Sequence, residues 1–203
     1  MEETKKKGLN TSSNSYTIIY SVVIVVVVAF LLAFVSSTLK PQQDENVALD
    51  KKKQILAALN IRDIDGAEAT EQYNKVVTAD KIIDRNGEEV EAGKQGGTEA
   101  GFLCNSTSTK EGKLALYVCN VDGETKYVIP VYGMGLWGGI SGYIALNADK
   151  QTVYGAYFNH EGETAGLGAE IKDSRKWQDQ FKGKHVFAAG KEGVALSVVK
   201  KNE

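Results

Sequence analysis

One long stretch without charge constrains this chain more than any other feature. Between Lys7 and Lys40 no residue carries a formal charge, and residues 16–39 read YTIIYSVVIVVVVAFLLAFVSSTL. A helix rises about 1.5 Å per residue, so this segment is long enough to span the roughly 30 Å hydrocarbon core of a bilayer with some tilt. Tyr16 and Tyr20 lie at one end, as aromatic rings often do at a membrane boundary. We therefore predict a transmembrane helix at residues 16–39.

A cleaved signal peptide is the alternative interpretation, since the small residues at 35–37 follow the apolar run. The run over residues 18–35 is longer than the roughly 7–15 apolar residues of a signal peptide, which favours an uncleaved anchor after an N-terminal tail of residues 1–15. Lysines stand on both sides of the helix in similar number, so the charge pattern leaves its orientation open.

The remainder, residues 40–203, is predicted to be one domain. The chain is 42% hydrophobic, enough to bury a core, and its net charge of −2 disfavours nucleic-acid binding. Helices are predicted at residues 44–61, beginning at Asp44, and at residues 67–77. A short helix is predicted at residues 174–181 with Ser174 or Asp173 as its cap.

Three hairpins are predicted between these helices. Asn86-Gly87 separates two short extended runs, VDGET separates LALYVCN from YVIPVY, and ADK separates GYIALN from TVYGAYFN. In the last of these strands, alternation places Tyr154 and Phe158 on one face, with Val153 and Tyr157 on the other. GVALSVVK, residues 193–200, is predicted as a closing strand. The fold class is therefore α+β, an antiparallel sheet with flanking helices after one membrane helix.

The residues that often carry chemistry give weak signals here. Cys104 and Cys119 lack the close spacing of a metal site, and we interpret them as two buried thiols, with a disulfide as the alternative if the domain is exported. His160 and His185 are isolated and are interpreted as structural, and no nucleophile motif accompanies them. The spacing of Glu161, Glu163 and Glu170 alone does not identify an acid/base pair. No metal site and no catalytic residue is predicted.

Two glycine-rich stretches remain, at residues 132–143 (YGMGLWGGISGY) and 159–171 (NHEGETAGLGAEI). Glycine permits positive φ and a close approach of the backbone to a flat or charged ligand. Neither stretch matches a dinucleotide or Walker motif in its context. From the residues alone, tight turns and a cofactor site remain equally open.

The two stretches together, after one N-terminal membrane helix, resemble the NqrC family from the anchor to about residue 200. NqrC proteins are subunits of the sodium-translocating NADH:quinone oxidoreductase, and they have a similar G-x-G-L-W stretch followed by H-x-E-T-P-G-L-G. A sister family in the Rnf electron-transport complex shares the second element but usually lacks the Leu-Trp pair, so Leu136 and Trp137 favour the sodium pump. Ala165 stands where the family usually has Pro, which loosens the turn.

The resemblance implies a domain that binds flavin mononucleotide (FMN) outside the cytoplasm, in a subunit of a complex in the bacterial inner membrane. It implies that the subunit passes electrons within the complex without being catalytic alone. The soluble domain would be periplasmic, and the partners would be the bilayer and the other subunits. The residues expected at the flavin are Leu136, Trp137, Glu163, Thr164, Gly166, Leu167 and Gly168.

In the family the FMN phosphate is joined to a threonine in an S-G-A-T-like motif near the C-terminus. This sequence contains no S-G-[AG]-T, so the attachment site is expected beyond residue 203 in a chain that is truncated here. The alternative function is a membrane-anchored sensory or ligand-binding module with the same fold and no redox role.

Overall fold

The computed structural model describes residues 13–188, 190 and 193–197, and the chain divides into two compact units between Val47 and Ala48. Its first element is helix α1, Asn14–Ala58. Within the described residues, this is the one helix whose length and hydropathy would allow it to cross a membrane.

The predicted helix start at Asp44 is wrong, because α1 runs without a break through Pro41 and Asp44. Proline removes one helical hydrogen bond. The residues after it are mostly strong helix formers such as Gln, Glu, Ala, Leu and Lys, which favour continuation of the helix. The predicted apolar stripe of Ile55, Leu56 and Leu59 is confirmed, since all three side chains are buried.

The second predicted helix is confirmed as α2, Gly66–Val76. The Asp65 carboxylate accepts a hydrogen bond from the Glu68 N–H at 2.8 Å and so caps its start. Tyr73 and Val76 on this helix are buried in the same core as the end of α1.

Six strands form one antiparallel sheet in the order β2-β1-β3-β4-β5-β6. The strands are β1 (Val77–Ile83), β2 (Glu89–Glu91), β3 (Leu114–Val121), β4 (Glu124–Met134), β5 (Gly139–Leu146) and β6 (Val153–His160). All three predicted hairpins are present. A 3₁₀ helix (Gly101–Leu103) and the short helix α3 (Ser106–Lys110) lie between β2 and β3.

The sheet separates two clusters of buried side chains. Neighbouring β4 residues Tyr127 and Val128 pack in different clusters, as alternation along a strand requires. The larger cluster includes the ends of α1 and α2 and the 3₁₀ helix. The smaller includes Phe158, Trp177 and Phe181, so both faces of the sheet are covered.

The predicted face of Tyr154 relative to Phe158 is wrong, because Tyr154 packs on the larger cluster and Phe158 on the smaller. The pairing of β5 with β6 shifts register between Ala145 and Leu146, opposite residues 153–155. Such an irregularity changes which face successive side chains occupy.

The chain ends its described part in short elements: α4 (Glu170–Asp173), α5 (Arg175–Gln178) and a 3₁₀ helix (Asp179–Phe181). Ser174 accepts the Trp177 N–H at 3.2 Å, which confirms it as a helix cap. The predicted strand at 193–200 reduces to one antiparallel bridge, Phe187 with Val194, and residues 198–200 lie outside the described residues.

Candidate functional site: two glycine bends at one end of the sheet

The two glycine-rich stretches form neighbouring bends. The first bend, residues 135–138, joins β4 to β5, and the second bend, residues 161–169, follows β6. Strand β5 pairs with both other strands, with Met134 opposite Gly139 and Ile140 opposite His160. Because the strands are antiparallel, the end of β4, the start of β5 and the end of β6 lie at the same end of the sheet.

Two glutamates of the second bend bind backbone amides at the first. The Trp137 N–H donates to Glu163 Oε1, and the Gly139 N–H donates to Glu161 Oε2, each at 3.1 Å. The Glu163 N–H in turn donates to His160 Nδ1 at 3.2 Å, a structural contact of the kind expected for this histidine. Side chains and backbone together therefore connect the two bends.

Glycine in these bends leaves room for the glutamate side chains. A Cβ on Gly135 would lie 2.1 Å from Glu163 Oε1, and one on Gly168 would lie 2.6 Å from Glu163 Oε2. Gly166 is different, because its φ is +71° and nothing would contact a Cβ there. Two of the three glycines thus have a reason that lies within the protein, whatever ligand is bound.

Large apolar side chains on the bends face solvent. Leu136 is 82% exposed, Trp137 69% and Leu167 73%. We call these three residues the apolar cluster. Thr164 begins the turn that presents Leu167, since its carbonyl accepts the N–H groups of Leu167 and Ala169 at 3.1 Å each.

A cleft of about 600 Å³ opens beside the first bend. It is lined by Asn105, Ser106, Lys110, Tyr132, Gly133, Met134, Gly138, Gly139, Ile140, Ser141 and Glu161. A volume of this order is typical of small-molecule and cofactor sites. Burial raises the pKa of Tyr132, so its hydroxyl remains a hydrogen-bond donor at neutral pH.

The structure brings some predicted site residues together and adds others. Trp137, Glu163 and Gly168 meet at one carboxylate, while Leu136, Thr164, Gly166 and Leu167 lie on the same two bends. Sequence reasoning did not single out Glu161 as a contact to the first bend. It also missed the cleft wall from α3, because Asn105, Ser106 and Lys110 are distant along the chain from both bends.

Cys104 and Cys119 are both free and buried, as the sequence pattern predicted. Burial raises the pKa of both thiols, to about 12 at Cys119. They are therefore unreactive at neutral pH.

Comparison with known proteins places both bends in a common family of domains. The FMN-binding domain family matches residues 135–201. The NqrC subunit of the Na(+)-translocating NADH-quinone reductase of Haemophilus ducreyi is 34% identical over 185 residues, covering 83% of this chain and 70% of the relative. The corresponding subunit from Pseudomonas aeruginosa is 29% identical, covering 94% of this chain and 79% of the relative.

A solved structure has the same fold. The crystal structure of the same subunit of the Na(+)-translocating NADH-quinone reductase from Parabacteroides distasonis superposes with a TM-score of 0.72 at 38% sequence identity. The match covers 80% of this chain and 77% of that one.

Proposed function

The chain belongs to the NqrC family of Na(+)-translocating NADH-quinone reductase subunits, and from that membership we propose that it is the FMN-carrying, electron-transferring subunit of such a complex. The observation that carries the proposal is the joining of the two bends by the Trp137–Glu163 hydrogen bond inside the segment that the FMN-binding family matches. That contact places motifs distant in sequence at one surface.

The residues present fit a flat, partly apolar ligand. FMN supplies a ring system that takes up and releases one or two electrons. The apolar cluster would pack against this ring, because exposed Leu and Trp side chains gain free energy when an apolar surface covers them. Gly166 and Gly168 would let the backbone approach it. A direct hydrogen bond from Glu163 or Thr164 to the flavin stays a prediction.

The predicted membrane segment does not contain the groups needed to move sodium across a bilayer. Residues 16–39 include no carboxylate, whereas ion paths through membranes rely on ionisable side chains inside the helix bundle. We therefore propose that α1 anchors the protein in the bacterial inner membrane and that other subunits move the ion. A periplasmic location of the soluble domain and a phosphoester from FMN to a threonine beyond residue 203 belong to the same proposal.

Flavin fluorescence after denaturing electrophoresis tests this function. The gene, read through any codons downstream of Glu203, is expressed in a host that flavinylates such subunits. A fluorescent band that survives denaturation supports a covalently held flavin, and flavin that elutes from the native protein but leaves no band supports FMN without the linkage. Protein that carries no flavin in either form would instead support the sensory or ligand-binding module.

A further inference from the structure

The second bend presents two carboxylates to the first in an alternating pattern. Trp137 and Gly139 are separated by one residue, and so are their acceptors Glu163 and Glu161. The Glu161 backbone N–H also donates to the Gly139 carbonyl at 3.0 Å, so Glu161 and Gly139 are joined twice. The two contacts together extend the pairing of β5 and β6 beyond the sheet by means of side chains.

The first bend is shaped to receive these carboxylates. The Gly135 N–H donates to the Gly138 carbonyl at 2.8 Å and closes the turn. The Trp137 N–H is left directed at Glu163. A Cβ on Gly138 would lie 3.2 Å from Glu161 Cβ, and the space at Gly135 is occupied by Glu163 Oε1. Any larger residue at Gly135 would displace the carboxylate that holds Trp137.

We propose that Glu161 and Glu163 are positioning residues that form the flavin surface before flavin binds. We call this pair the carboxylate clasp. It acts through the backbone of the first bend, fixing Trp137 next to the second bend and thereby ordering the apolar cluster. The inference rests on the proposed function in assigning that cluster to FMN, but the clasp itself is a property of the chain without ligand.

Amide hydrogen exchange on the full chain in detergent, without flavin, tests the clasp. Glu163→Ala is expected to speed exchange at the Trp137 amide by about tenfold, the effect of losing one charge-assisted hydrogen bond. Exchange at the Gly139 amide is expected to change little. Glu161→Ala should give the reverse pattern. Glu163→Gln keeps an acceptor oxygen and should restore the Trp137 amide to within about threefold of wild type.

Free FMN titrated into the same proteins gives the readout that a structural role would not move. Glu163→Ala is expected to weaken FMN binding by about tenfold and Glu163→Gln by less than about threefold, in line with one hydrogen bond. Unchanged exchange at the Trp137 amide in Glu163→Ala would overturn the clasp. Equal FMN affinity in Glu163→Ala and wild type would overturn its role in the flavin surface. Wild type that binds no FMN, with exchange still altered as described, would overturn the proposed function while leaving the clasp in place.

Discussion

Two regions of this protein use a carboxylate in the same way and for different ends. Asp80 on β1 is only 1% exposed and accepts hydrogen bonds from the backbone N–H groups of Lys94, Ala100 and Phe102, at 3.1–3.3 Å. Like Glu163, it is surrounded by glycine, since a Cβ on Gly97 would lie 1.7 Å from Asp80 Oδ1. In both regions the backbone approaches a carboxylate more closely than a side chain would allow.

Burial separates the two regions. If Asp80 were removed, three N–H groups would be left without an acceptor away from water, which costs about 1–3 kcal/mol each. If Glu163 were removed, water would reach the Trp137 N–H in the exposed bend. The buried carboxylate therefore stabilises the fold, while the exposed pair determines the shape of a surface.

The largest expected effect tests that difference directly. Asp80→Ala should lower the free energy of unfolding by about 4 kcal/mol, because it creates several buried unsatisfied donors at once. Glu163→Ala should lower it by less than about 1 kcal/mol. Urea denaturation followed by tryptophan fluorescence measures both variants. Similar values for the two would remove the distinction between a carboxylate of stability and a carboxylate of shape.

Lys51 sharpens the comparison, because it holds the same segment as Asp80 with the opposite charge. Its Nζ donates to the carbonyls of Phe102 and, at 3.0 Å, Cys104, and lies 4.9 Å from the centre of the Phe102 ring. Burial lowers its pKa from 10.5 to about 8. Between these two pH values the unfolded chain binds a proton that the folded chain does not, so the contribution of Lys51 to stability rises with pH.

Replacing this lysine by methionine isolates that contribution. The stability of wild type relative to Lys51→Met is expected to rise by about 3 kcal/mol between pH 7 and 10.5, because the pKa falls from 10.5 to about 8 on folding. Denaturation of both proteins at several pH values gives the difference, in which the titration of the buried tyrosines and cysteines cancels. A difference that stays flat over this range would show that the Lys51 pKa is ordinary.

A smaller effect is expected at the second bend. Gly168→Val would push the Glu163 carboxylate away, and we expect FMN affinity to fall by about tenfold, with a change in the free energy of unfolding below about 1 kcal/mol. Gly162→Ala is the matched control, because a Cβ there would lie at an ordinary 3.4 Å from the Trp137 carbonyl. Equal loss of affinity in both variants would argue against a specific role for Gly168. The double variant Gly166→Val/Gly168→Val should lose flavin further, since position 166 has a positive φ.

The smallest effect concerns the apolar cluster. Leu136→Ala should leave stability within about 0.5 kcal/mol of wild type, since the side chain is 82% exposed, yet weaken FMN binding by about threefold. Val90→Ala on β2, where the side chain is 60% exposed, is the control and should change neither quantity. Unaltered FMN affinity in Leu136→Ala would take that residue out of the flavin surface.

Local turn chemistry made the strands predictable. Asp122 and Gly123 both have positive φ, at +53° and +85°, as a two-residue hairpin turn requires, and this preference is readable from two letters of sequence. The continuation of α1 through Pro41 was not predicted, because helix propensity on the far side of the proline outweighed a local breaker. The face of Tyr154 was missed because a register shift leaves no mark in the residue pattern.

The site was predictable only in part for a similar reason. The motifs named both bends, and the resemblance supplied the ligand that composition left open. The partners of Glu161 and Glu163 lie more than twenty positions away along the chain, so no periodicity reveals them. Gly135 and Gly168 were a signal in retrospect, since glycine at both ends of a contact often marks close approach of a side chain and not only of a ligand.

The two native thiols have a practical consequence. Cys104 and Cys119 are 5% and 1% exposed, and burial raises the pKa of each. Maleimide reagents and spin labels react with accessible thiolates, so a single cysteine introduced at an exposed position such as Thr164 would be modified selectively in the otherwise unaltered chain. Distances from the second bend to a bound redox group or a neighbouring subunit can then be measured spectroscopically without first removing the natural cysteines.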